Sequence, residues 1–173
     1  MKIFPYFLLI LIGLCAGLSS CSNQVKVKER ITYRFEHGRT AMIRDGIAYA
    51  PKRAPAAVKK AIAAGNRLQS MPYKWGGGHA QKNDSGYDCS GATSYVLREA
   101  GLLRGSMTSK GFFRYGKKGY GKWINLYMRN GHVFLTVAGL RLDTGGGRNE
   151  TGPRWRTESR EGRGHVVRHP SGL

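Results

Sequence analysis

Gly86-Tyr87-Asp88-Cys89-Ser90-Gly91-Ala92-Thr93 opens on a loop and closes inside a helix. Asp88 is a good N-cap, and Gly101 is a natural stop. The helix is expected from Cys89 to about Ala100, with Ala92, Val96, Leu97 and Ala100 facing a core. Cys89 then stands in the first turn, where unpaired backbone amides carry partial positive charge. Such a site favours thiolate over thiol. A thiolate is the nucleophile that acyl transfer requires, and the same amides can face a developing oxyanion. Ser90 and Gly91 keep the turn small enough for a substrate backbone to approach. The competing reading is plain, since a free cysteine is also often a buried core residue.

The chain has three cysteines, at 15, 21 and 89. The first two fall in an apolar N-terminal stretch that reads as an export signal over residues 1–20. Lys2 supplies its positive start, and Phe4 to Leu18 is too short and poorly flanked to span a membrane well. An exported chain with one remaining thiol has no disulfide use for it.

A cysteine nucleophile needs a base, and the base needs an orienting group. His132-Val133-Phe134-Leu135-Thr136-Val137 and Leu140-Arg141-Leu142-Asp143 read as a β-hairpin across Ala138-Gly139. A two-residue turn pairs Val137 with Leu140. Asp143 then lies two places along from the cross-strand partner of His132, on the same face of the sheet. His37, His79, His165 and His169 are the other imidazoles. His79 follows a triple glycine and could line a cleft, but only His132 has both a strand and a nearby acid.

The remaining pattern is α+β. Ile31 to Phe35, Arg39 to Ile43 and Ile47 to Ala50 alternate like short strands, with Asp45-Gly46 as a turn. Ala54 to Gln69 reads as a helix, with Pro55 in its first turn and Gly65 as a weak point. Trp123 to Met128 is a further strand, and His165 to Val167 a last one. The glycine- and lysine-rich stretch from Ser106 to Lys122 carries no clear periodicity. Three units are expected: the signal at 1–20, a polar tether with a small β element at 21–53, and one domain at 54–173 that can bury a core without cross-links.

The charge is strongly basic, 29 Lys and Arg against 10 Asp and Glu, a net +19. Loss of the signal takes only Lys2 with it. Such a field speeds encounter with anionic partners. Export excludes nucleic acid as a natural partner and leaves acidic wall polymer or lipid surface.

Met71-Pro72-Tyr73-Lys74-Trp75-Gly76-Gly77, then Tyr87-Asp88-Cys89-Ser90-Gly91 running into Tyr95 to Leu102, with Gly131-His132-Val133 downstream, resembles the NlpC-type (p-sixty) family of bacterial cell-wall cysteine peptidases. The resemblance covers residues 55 to 145. It implies a papain-like α+β fold in which the cysteine helix packs on an antiparallel sheet carrying the histidine. It implies Cys89 as nucleophile, His132 as base, and Tyr73, Asp88 and Ser90 near the substrate. The family's third position, often histidine, falls on Asp143 after a one-residue shortening, or on Thr144 if the turn is longer. The implied activity is hydrolysis of stem-peptide amides, commonly between D-glutamate and the next diacid, by a monomer with no metal or cofactor. Leu18-Ser19-Ser20-Cys21 resembles a bacterial lipoprotein cleavage box. That implies lipid on Cys21 and an outer-membrane site facing the periplasm, Ser22 not being the aspartate of inner-membrane retention. Two other readings stay open: a wall-binding envelope lipoprotein on an inherited peptidase fold, and an amidase or acyltransferase using the same dyad.

Overall fold

The computed structural model describes residues 24–80, 83–145 and 151–173. The export signal and Cys21 lie outside the described residues. In chain order the elements are β1 (Met42–Arg44), β2 (Ile47–Tyr49), α1 (Ala56–Arg67) and α2 (Cys89–Glu99). A 3-10 turn at Gly111–Arg114 follows. Then come β3 (Lys117–Lys118), β4 (Ile124–Arg129), β5 (His132–Val137), β6 (Leu140–Asp143), β7 (Arg154–Arg156) and β8 (Val166–His169). The last six form one antiparallel sheet in the order β3-β8-β4-β5-β6-β7, and β1 and β2 form a separate hairpin.

Side-chain alternation along β5 and β6 separates two chemistries. Val133, Leu135, Val137, Leu140 and Leu142 join the main core with Val58, Ile62, Val96 and Leu97 of the two helices. The alternate residues, His132, Phe134, Thr136, Arg141 and Asp143, share the other face. The hairpin turn is the expected two-residue one: Ala138 and Gly139 both have positive φ, and Val137 pairs with Leu140. This register fixes the offset between His132 and Asp143.

The other face of the sheet has its own small core of Tyr127, Phe134 and Val167, closed by Val27. Residues read as a polar tether run along it. The Val27 amide donates to the His165 carbonyl at 2.8 Å, and Ile31 exchanges backbone bonds with Arg160. Ile31 to Phe35 is not a strand. Ile31 makes only an isolated bridge, because its partner is one residue of a loop rather than a strand edge.

α1 starts two residues later than the pattern suggests, and Pro55 is its N-cap rather than a first-turn residue. Gly65, the expected weak point, is where the Trp155 indole packs; a Cβ there would overlap the ring. Asn66 ties three pieces together. It bonds the Ala48 amide and carbonyl at 2.9 Å each and accepts from Trp155 Nε1 at 2.8 Å. β7, which carries Trp155, has no counterpart in the sequence reading. Its three residues are too few to show a period.

Candidate active site

Asp88 caps α2 as expected. Its Oδ1 accepts the Gly91 amide at 2.6 Å, and its Oδ2 accepts the Gly76 amide at 3.1 Å. The glycine-rich loop therefore rests on the helix start. A Cβ on Gly91 would strike the Gly77 carbonyl oxygen, so the approach depends on the bare backbone. Asp84 holds the same loop by accepting Lys74 Nζ at 2.7 Å and the Gly78 amide at 3.0 Å. The hydrogen bond from Lys74, helped by the Gly78 amide, holds its carboxyl well below the usual range.

Cys89, the free cysteine among the described residues, is half-buried in the first turn of α2. His132, only 5% exposed, begins β5 and stands close enough to Cys89 for that side chain to help hold the imidazole charged. Its Nε2 meets Asp143 Oδ1 at 3.0 Å, which leaves Nδ1 for the sulfur. Burial alone would lower the imidazole pKa. The Asp143 carboxylate, with a smaller contribution from the neighbouring Cys89 side chain, overrides it and raises it to about 9. Cys89, His132 and Asp143 thus come together from one helix and one hairpin. Asp143, not Thr144, is the side chain that meets the imidazole; the buried Thr144 hydroxyl bonds nothing among the described residues.

Asp143 is 3% exposed and carries more than a histidine. Its Oδ2 lies 2.7 Å from Arg141 Nη1 and 3.0 Å from Arg160 Nη1, and its Oδ1 accepts the Gly145 amide at 3.1 Å. Burial opposes its charge, but His132 and the two guanidinium groups hold the carboxyl down to about 2. Both arginines also lie over the Phe134 ring, Arg160 at 4.9 Å and Arg141 at 6.0 Å. Arg141 Nη2 donates to the Glu158 carbonyl at 3.1 Å, and Arg160 Nη1 to the Gly145 carbonyl at 2.8 Å. The sequence reading missed both. Arg141 had a signal, since it sits two residues before Asp143 on one strand and so shares its face. Arg160 had none, because it arrives from a loop with no period.

Tyr73 pairs with Tyr87 in a parallel bridge just before the cysteine turn. Ser90 Oγ donates to Asp88 Oδ1 at 3.0 Å. His79 joins them, with Nε2 at 3.2 Å from Asp88 Oδ1 and 3.1 Å from Ser90 Oγ. Of the residues expected near the substrate, Asp88 and Ser90 adjoin Cys89 in the chain and are joined by His79, while Tyr73 is tied to this turn through its bridge to Tyr87. Trp75 stands 87% exposed on the same loop. His165 is buried edge-on against Phe134; burial lowers its pKa, and Nδ1 bonds the Gly162 carbonyl. His37 and His169 lie away from this cluster, His169 bonding the Gly119 carbonyl.

No family model matches the chain, and no curated protein matches it. Among solved structures it is similar to a mutated form of the resuscitation promoting factor interacting protein RipA. The identity is 22% over 76% of this chain and 72% of the other, with a TM-score of 0.47. The architecture stands on the structure itself: an α+β fold with the cysteine helix laid against an antiparallel sheet that carries the histidine.

Proposed function

We propose that this chain is a cysteine peptidase that cleaves amide bonds in peptidoglycan stem peptides, with the D-glutamyl–diacid bond as the candidate. The observation that supports it is the His132 imidazole, beside Cys89, with its Nε2 resting on the buried Asp143 carboxylate at 3.0 Å. In this reading Cys89 and His132 rest as thiolate and imidazolium. The thiolate attacks the carbonyl carbon, a C–S bond forms, and the carbonyl π pair moves to oxygen. Amides at the start of α2 receive that negative charge. Collapse of the adduct breaks the C–N bond, and His132 gives its proton to the leaving amine. Neutral His132 then takes a proton from water as the water oxygen attacks the thioester. The C–S bond breaks, the acid product leaves, and the ion pair is restored. Tyr73, Asp88 and Ser90 line the entry for substrate.

Export with lipid on Cys21, at the outer membrane facing the periplasm, belongs to the same proposal. It rests on the resemblance of residues 18–21 to a lipoprotein cleavage box. Incorporation of labelled palmitate, abolished by Cys21→Ala, is the expected result.

The test is digestion of purified sacculi. Wild type releases soluble peptide fragments; Cys89→Ala and His132→Ala release them at least about a thousandfold more slowly. Fragment masses identify the bond and distinguish hydrolysis from transfer to another amine. Release by both variants at the wild-type rate contradicts the proposal.

A further inference from the structure

The segment from Ser106 to Arg114, which the motif does not use, lines one side of a cleft of about 740 Å³ through Thr108 to Gly111, Phe113 and Arg114. It is fastened to the cysteine helix and to the loop beside it. Ser94 of α2 donates to the Met107 carbonyl at 3.3 Å and accepts the Met107 amide at 3.0 Å. Ser106 Oγ donates to the His79 carbonyl at 3.3 Å. The opposite wall is the β4–β5 turn, Arg129 to Gly131, and the next residue is His132. Phe113 lends the lining an apolar, half-buried ring, and Lys110, Arg114 and Arg129 stand exposed around it. Among the described residues none of these three cations has a carboxylate in ion-pair range. Three unneutralised charges around one apolar surface raise the local potential for anions.

We propose that this cleft is a subsite for a carboxylate-bearing arm of the substrate. Lys110, Arg114 and Arg129 meet the carboxylates while Phe113 packs against the aliphatic stretch between them. This deepens the hydrolase reading and rests on it for the identity of the peptide. The substrate is favoured over a free wall polymer by position. The cleft wall is built on the helix of Cys89, and its far side ends one residue from His132.

Binding to the full chain carrying Cys89→Ala tests it by calorimetry. The probes are a stem tetrapeptide with free carboxylates and the same peptide with those groups amidated. The acid peptide is expected to bind more tightly. Arg114→Gln and Arg129→Gln should each weaken it about three- to tenfold while leaving the amidated peptide unchanged. The difference should shrink in about 0.5 M salt. Equal binding of the two peptides overturns the proposal. So does equal weakening of both, or arginine-dependent binding of polyphosphate with none of the peptide. The two readings fail separately. Charge-dependent binding with no cleavage by wild type retains the subsite and removes the hydrolase. Cleavage with charge-independent binding does the reverse.

Discussion

At the scale of single residues the chemistry depends on how Asp143 divides its charge. One carboxylate faces His132, Arg141 and Arg160 at once, so the imidazole does not have the acid to itself. Removing a competitor should strengthen the other bond. Arg160→Met keeps a side chain over Phe134 and takes away one positive charge. In the proposed peptidase the alkaline limb of activity, expected where His132 loses its proton near pH 9, should therefore move upward in that variant. An unchanged limb in the pH–rate profile would mean Arg160 serves the fold alone. Asp143→Asn acts in the opposite direction. It removes the anion that holds the imidazole charged, so the limb should fall and activity drop by about a hundredfold or more. It also strands the buried Arg141 guanidinium and the half-buried one of Arg160, for a loss of about 3–5 kcal/mol in denaturant unfolding. The pairing of His132 with Asp143 was legible because a two-residue turn sets the register and the period of two does the rest. The arginines were not fully legible. A sequence marks Arg as surface by default, and only the fold shows that a buried acid draws two of them inward.

At the scale of elements the cysteine helix and the glycine loop are fitted backbone to backbone. Gly91→Ala places a methyl group against the Gly77 carbonyl, which belongs to main chain and cannot swing aside. The helix start must shift, and with it the sulfur. Overpacking of this kind costs about 1–3 kcal/mol. The larger effect is expected in turnover, at about a hundredfold, since a displacement near 1 Å is that costly to a positioned nucleophile. Full activity of Gly91→Ala would show the loop to be passive. Gly65→Ala, where the indole of Trp155 lies against α1, is a control far from the thiol in sequence. It should lower the melting temperature without a matching fall in turnover of the remaining folded protein. Gly65 read as a weakness along the chain and is a contact in space. The helix pattern could not reveal this, because the partner strand lies about 90 residues away and is only three residues long. The two helices and the hairpin, whose signals are local, were readable within a residue or two.

At the scale of the whole molecule two titrations bound the stable range. The His132 pKa is raised to about 9, so its contribution is full below its ordinary value near 6.5 and is lost as pH rises through 9. Asp143 is lowered to about 2, so its contribution is full above its ordinary value near 3.8 and is lost as pH falls through 2. The melting temperature should therefore hold a plateau from pH 4 to 6.5 and decline on both sides. A profile that still rises between pH 7 and 9 would contradict the ion pair. The net charge of +19 adds a self-repulsion that salt should relieve. The segment around Val27 and Ile31 closes the far side of the sheet, so the molecule works as one body that holds helix and hairpin in register. All of this converges on whether the sulfur is an activated nucleophile in the folded chain. The direct measurement is the rate at which chloroacetamide alkylates Cys89 at pH 7, followed by mass of the Cys89 peptide, in wild type and in His132→Ala. Wild type is expected to react at least about tenfold faster; equal rates would mean the imidazole does nothing for the thiol.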